Sequence, residues 1–297
     1  MPGAIKSKEA AGQMTNSNPT SCTENKKGKP YGKELSSILG KEAALARKGY
    51  DVLGNIAIID ADPKAAKAAA RLILSTHKNI TTILRKAGAI SGKYRKRKYI
   101  YVLGKRNYTA RYTENGSTFT FDVRAAFFSS RLAYERKRIC SLVGEHERVF
   151  VMFAGVGPFA IEIAKSHKQS VVVALELNRA AFKYLVKNIS MNKTANVVPV
   201  LGDALAPPKE YEGFASRIIM PHPTDSIRFF GAALKVSGPR CNIHLYLFTE
   251  DGGAAAELEL KRIAASMGFS LNILSKRVVR TYSARISEIV IDMKVRK

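Results

Sequence analysis

The sequence predicts an α/β protein: a doubly wound, mostly parallel sheet with helices on both faces and an antiparallel edge, preceded by a smaller α/β unit. Three observations carry this. From residue 149 onward, apolar β-branched runs alternate with helical stretches, the pattern of parallel strands linked by crossover helices. One such run, residues 149–153, leads straight into the turn Ala154-Gly155-Val156-Gly157 and then a helix. The last part of the chain carries long alternating runs, the antiparallel edge that open parallel sheets commonly bear. At 297 residues and 46% hydrophobic composition, the chain suits about two domains at roughly 150 residues each.

Residues 1–32 mix Ser, Asn, Thr, Gly, Lys and Pro with almost no core-forming side chains. Such a segment buries too little apolar surface to offset the entropy of ordering, and a disordered basic tail is expected. The small α/β unit is expected over 33–123. Within it, 36–48 has helical composition, and 51–60 alternates as one strand through Val52, Ile56, Ile58 and Ile59. Pro63 suits the first turn of a helix over 65–77. A strand-rich stretch follows, and Asn115-Gly116 before the alternation at 118–123 signals a hairpin.

The second unit, 124–297, opens with a helix over 131–142. It continues as strand 149–153, helix 160–167, strand 171–175, helix 180–189 and strand 197–201. Runs at 242–248, 270–279 and 286–295 complete the sheet, the last two as a long hairpin.

The formal net charge is +25, from 49 Lys and Arg against 24 Asp and Glu, which calls for a polyanionic partner. A membrane surface would want an apolar span of about 20 residues or a lipid anchor. Neither is found, and residues 1–29 lack a secretory core, so a cytoplasmic protein that binds nucleic acid is expected. Cys22, Cys140 and Cys241 are widely spaced without a CxxC pair, so no disulfide framework and no metal site is expected. Residues 93–111 hold eight Lys or Arg and no acid, interleaved with Tyr94, Tyr99, Tyr101 and Tyr108. Lys93, Arg95, Lys96, Arg97 and Lys98 are candidate phosphate contacts and the tyrosines candidate stacking platforms. On composition alone, a solvated basic strand pair is an equal reading.

Chemistry centres on the glycine turn, where the backbone is free to approach a ligand and a helix amino terminus favours negative charge. Glu176 follows 19 residues after Gly157, at the end of the next apolar run, where a carboxylate accepts from ribose hydroxyls. Asp203 follows the run at 197–201 and suits an adenine amino group. The three describe an adenosine pocket at the carboxyl edge of a parallel sheet. The plainer reading is that both acids cap helices and that the turn is only a turn. Ala160 at the third position of a GxGxxG pattern keeps a nicotinamide dinucleotide open, although that cofactor leaves the basic, tyrosine-rich unit without a role.

Further motifs share one order along the chain: Tyr50-Asp51-Val52-Leu53-Gly54-Asn55-Ile56-Ala57, His77-Lys78-Asn79-Ile80, Phe128-Ser129-Ser130-Arg131-Leu132 with Glu135-Arg136, Phe153 to Phe159, Glu176-Leu177-Asn178, Gly202-Asp203-Ala204, and Ile218-Ile219-Met220-Pro221-His222-Pro223. With these, about residues 50–295 resemble the archaeal and eukaryotic tRNA (guanine-37-N1)-methyltransferases and their wybutosine-pathway relatives. The resemblance implies a Rossmann-like class I methyltransferase domain that carries a methyl group from S-adenosyl-L-methionine to N1 of the guanosine 3′ of the tRNA anticodon. A monomer without metal is expected. The resemblance gives Arg131 the arginine that polarises guanine O6, and puts Ser129 and Arg136 where relatives touch the cofactor. Phe153, Ala154, Gly155, Val156 and Gly157 form the cofactor loop, Glu176 with Leu177 and Asp203 with Ala204 frame the adenosine, and Pro221 lies beside it. Guanine N1 is a weak nucleophile until its proton leaves. A cation near O6 and a carboxylate near N1 are therefore needed, and Glu176 is the candidate base as well as a ribose ligand.

Departures from the family pattern carry their own expectations. Val151 stands where relatives place an Asp, which should weaken cofactor binding, and Pro221 stands where many place an Asn that reads guanine. Ser130 replaces a Pro and should loosen its turn, and His222 reads as a loop histidine. The domain with which many relatives touch the outer corner of tRNA has no expected counterpart. Two alternatives remain: an aminocarboxypropyl transferase of the same fold, and an inactive tRNA-binding homologue.

Overall fold

The structure, a computed structural model, describes residues 31–91 and 96–297. Residues 1–30 of the expected tail, Cys22, Lys93, Tyr94 and Arg95 lie outside the described residues. The chain opens with helix α1 (Tyr31–Leu39), which ends at Gly40 (φ +51) and passes through a 3₁₀ turn, Gly40–Leu45. Strands β1 (Ala46–Leu53) and β2 (Ile56–Ala61) follow as a hairpin. The single strand expected over 51–60 is thus two, and the helix expected through residue 48 stops short. The helix ends where Gly40 takes a left-handed φ, and the strand divides at Gly54, which adopts φ +59 and where a Cβ would lie 1.8 Å from the Arg111 carbonyl oxygen.

Helix α2 (Pro63–Thr76) begins as expected, with Pro63 in its first turn and the Asp62 carboxylate accepting the Lys64 N–H at 3.0 Å. Strands β3 (Thr82–Ser91) and β4 (Lys96–Gly104) complete a four-stranded sheet in the order β1-β2-β3-β4. On one face Ala57, Ile59 and Ile83 pack under Ala66, Ala69, Ala70 and Ile73 of α2. On the other, Ile56, Ile58 and Leu84 meet the hairpin of β5 (Thr109–Glu114) and β6 (Ser117–Asp122). That hairpin turns at Asn115 (φ 45) and Gly116 (φ 74), the left-handed pair that the Asn-Gly signal calls for.

The second unit runs α3 (Ala133–Leu142), β7 (Arg148–Met152), α4 (Pro158–Ser166), β8 (Val171–Glu176), α5 (Arg179–Asn192), β9 (Val197–Leu201), β10 (Ala215–Met220), α6 (Phe230–Val236), β11 (Ser237–Thr249), α7 (Ala254–Ser266), β12 (Ser270–Thr281) and β13 (Ser287–Arg296). Its sheet order is β12-β13-β11-β10-β7-β8-β9, parallel from β11 to β9, with β13 antiparallel to both its neighbours. Alternation sorts β7 cleanly. Phe150 and Met152 join the core under α6 and α7, while Val149 and Val151 join the core under α3 and α4.

Strand β10 was hidden in the sequence because Arg217 interrupts its apolar run. That arginine is buried, donating to Glu147 at 2.7 Å and lying 2.7 Å from His244 Nε2. The hairpin β5–β6 joins the two units. Phe119 and Phe121 share one core with Leu53 and Leu84 on one side and Val156, Ile161 and Ala181 on the other. Asn188 and Asn192 of α5 accept the Thr120 and Thr118 backbone N–H groups, each at 2.9 Å.

Candidate cofactor and catalytic site

Strand β7 ends in a turn whose backbone is held in the left-handed region at Phe153 (φ 58), Gly155 (φ 60) and Gly157 (φ 94). The Ala154 N–H donates to the Leu175 carbonyl at 2.9 Å, which lashes the turn to the end of β8. The two glycines have different reasons to be glycine. A Cβ on Gly157 would lie 2.6 Å from Leu185 Cδ1 and 2.9 Å from Ile161 Cδ1, so helix packing requires its absence. A Cβ on Gly155 would meet nothing nearer than the Phe127 carbonyl oxygen at 4.0 Å, so that face is open to a ligand.

The Glu176 carboxylate, at the tip of β8, accepts the Gly155 N–H on Oε2 and the Asn178 N–H on Oε1, each at 2.7 Å. Burial pushes its pKa above the ordinary carboxylate value, and the N–H groups of Asn178, Gly155 and Leu177 counteract part of that rise. Asn178 caps α5 by accepting the Ala180 N–H at 3.1 Å, and its Nδ2 donates to the Ala125 carbonyl at 2.8 Å. This ties residues 124–130 beside the glycine turn. After β9, Asp203 is exposed and accepts the Leu205 N–H at 2.9 Å, while Ala204 is buried beneath. Both acids therefore receive local backbone N–H groups, as helix caps do, and both stand at the same sheet edge as the open face of Gly155. Leu177 is half-buried between them in sequence.

Across this edge, Pro221 follows β10 half-buried, and His222 Nδ1 donates to the Thr224 carbonyl at 2.8 Å. The His222 and Phe229 rings lie 4.9 Å and 4.8 Å from the Phe153 ring, an aromatic wall spanning the ends of β7 and β10. Val151 is fully buried in the core, and the turn receives its carboxylate from Glu176. Val156 is buried below the turn.

Arg136 corrects its expectation. Only 2% of its surface is exposed, and Nε and Nη2 donate to the two Glu114 oxygens at 2.5 and 2.6 Å. Nη2 also donates to the Ser129 carbonyl at 3.1 Å, and the guanidinium lies 5.2 Å from the Phe128 ring centroid. The fork is thus filled by protein groups, and Arg136 braces the Ser129 segment from behind. Arg131, in the 3₁₀ turn Ser130–Leu132, points the other way: its side chain is 61% exposed, and Nη2 donates to Asp51 Oδ1 of β1 at 2.6 Å. Lys86 of β3 binds the second Asp51 oxygen at 2.8 Å. Sequence reasoning gave neither Glu114 nor Asp51 a role. The available signal was alternation, which sets Asp51 on the same face of β1 as the buried Leu53.

In the basic stripe, Lys96 opens β4, Arg97 is half-buried and Lys98 exposed. Tyr99, Tyr101 and Tyr108 pack against the core between the units, which occupies part of the surface expected to stack on bases. The Arg124 guanidinium covers the Tyr108 ring at 3.8 Å. Among the described residues, no three His, Cys, Asp or Glu side chains are grouped to hold a metal ion, and no helix is long and apolar enough to cross a membrane.

A glycine turn after the first strand of a parallel sheet, with carboxylates closing the next two, defines the class I methyltransferase architecture. The chain belongs to the TRM5/TYW2 family: residues 110–274 match the TRM5/TYW2 methyltransferase domain, and residues 33–107 the TYW2 N-terminal domain. It is 39% identical over 251 residues, 83% of this chain and 74% of the relative, to the tRNA (guanine(37)-N(1))-methyltransferase Trm5b of Pyrococcus abyssi. It is 32% identical over 208 residues, 69% of this chain and 82% of the relative, to the tRNA(Phe) (4-demethylwyosine(37)-C(7)) aminocarboxypropyltransferase of Methanocaldococcus jannaschii. The solved complex of aTrm5 with tRNALeu superimposes with a TM-score of 0.78 at 28% identity, covering 89% of this chain and 78% of that one.

Proposed function

We propose that this protein is a cytoplasmic, monomeric tRNA methyltransferase that uses S-adenosyl-L-methionine to methylate N1 of guanosine 37. The observation that carries the reading is the Glu176 carboxylate pinned against Gly155, whose outer face is open. The residues fit the cofactor. Glu176 keeps lone pairs for ribose hydroxyls, Asp203 is free to accept an adenine amino group, and Leu177, Ala204, Phe153 and Pro221 supply apolar walls. When bound, the cofactor supplies an electrophilic methyl group.

The chain's own groups handle the base. Arg131, exposed beside the 124–130 segment, offers a cation to guanine O6, which stabilises the charge that develops as N1 loses its proton. Glu176 is anchored as a ribose ligand should be, and its raised proton affinity suits it to take that proton as well. The basic stretch Lys93, Arg95, Lys96, Arg97 and Lys98 of the unit at 33–123 is the candidate for phosphate contacts, and the unit at 124–297 is the one that holds the cofactor.

The test is incubation with methyl-labelled S-adenosylmethionine and two tRNA transcripts, carrying G or A at position 37, followed by nucleoside analysis. N1-methylguanosine in the G transcript alone supports the reading. The similarity to the aminocarboxypropyltransferase sustains a second one, marked by methylthioadenosine as product and no methylated nucleoside. Binding of tRNA without either product would make the chain a binding homologue.

A further inference from the structure

We propose that Asp51, on the first unit, is a positioning residue that holds the Arg131 guanidinium of the second unit in line with the target base. This rests on the reading of Arg131 as the cation at guanine O6. Arg131 stands on one 3₁₀ turn and is mostly exposed, so its long side chain has little packing to fix it. Its Nη2 contact to Asp51, 2.6 Å long, spans 80 residues of sequence and joins the two units.

The carboxylate is itself built in. Asp51 is 27% exposed and Lys86 19% exposed, with Lys86 Nζ 2.8 Å from Oδ2. Tyr50 and Val52 pack beneath α2, whereas Asp51 and Leu53 face the second unit, so strand alternation aims the acid at Arg131. Burial pushes the Asp51 pKa up, but the hydrogen bond and charge of Lys86, and then of Arg131, more than offset this and keep it ionised. Two cations share one carboxylate. A net positive charge therefore remains, and Asp51 orients Arg131 without cancelling its attraction for an anionic oxygen.

A kinetic double-mutant cycle on full-length protein with tRNA tests this. Asp51→Ala should lower kcat about 10- to 100-fold, the scale of a misplaced catalytic group, with the cofactor KM unchanged. Asp51→Glu should recover part of the loss. Against an Arg131→Ala background, Asp51→Ala should add less than about twofold, because residues acting as one unit are not additive. Asp51→Asn, of equal size, serves if the Ala variant loses its fold. Independent multiplication of the two losses, or a lowered melting temperature at normal kcat, overturns the proposal and spares the reading of Arg131. Normal kcat in Arg131→Ala alone overturns both.

Discussion

Glu176 Oε2 lies 2.7 Å from the Gly155 amide nitrogen, and this bond joins the tip of β8 to the glycine turn beside its open face, the proposed cofactor site. The carboxylate shapes the turn, and in the proposed function it also faces the ligand. Glu176→Ala should weaken S-adenosylmethionine binding about 10- to 100-fold, the range for losing a charged hydrogen-bond acceptor. Glu176→Gln should lose less. Calorimetric titration checks this, and a change under twofold for the Ala variant would remove Glu176 from the cofactor site.

The two glycines of the turn should fail differently. Gly157→Ala forces a methyl group against Leu185 and Ile161 at a left-handed position, and should cost about 1–3 kcal/mol of stability. Gly155→Ala meets open space but shares the left-handed strain (φ 60), so it should cost only about 1 kcal/mol of stability, yet lose cofactor affinity because its methyl group occupies the ligand's approach. Melting curves beside binding titrations separate them. Equal stability losses with unchanged affinity at Gly155 would contradict this division.

Arg136→Ala should destabilise the fold by about 3–5 kcal/mol, since it abandons Glu114 and Glu162 as buried acids. Folded protein at low temperature should still bind cofactor. A normal melting temperature with poor cofactor binding would return Arg136 to the cofactor site.

The same cluster sets a pH dependence. Glu162 is buried beside Glu114 with Arg136 as their shared cation, and burial followed by Glu114's charge raises its pKa from 4.5 to about 8. The folded state therefore keeps this proton to higher pH than the unfolded chain. Its stabilising contribution is complete below pH 4.5 and erodes as pH rises to about 8. Glu162→Gln, which cannot ionise, should gain melting temperature relative to wild type between pH 5 and pH 8. A constant difference across that range would mean that Glu162 stays ionised.

The turn, Glu176 and Asp203 were legible because one pattern, an apolar strand followed by a loop, repeats with the acids at its ends. The Asn115-Gly116 hairpin was legible for a similar reason: its dihedral demand is local. What escaped depends on distant partners. Arg217 broke the apolar signal of β10, yet its charge is satisfied by Glu147, a contact no periodicity reveals. Arg136 looked like a ligand contact until Glu114, on a hairpin 22 residues earlier, claimed both arms of its fork. Gly54 divided one expected strand into two, and alternation along the first of them aims Asp51 at Arg131, 80 residues later.

The β5–β6 hairpin has a mechanical consequence. Phe119 and Phe121 have apolar neighbours in both units, so the basic sheet and the glycine turn are mounted on one frame rather than joined by a hinge. Such a frame behaves as a fixed gauge. In the proposed function, core packing would then set the interval from a gripped phosphate to the reacting centre, so that a nucleotide is measured by its distance along the strand before any edge of its base is read.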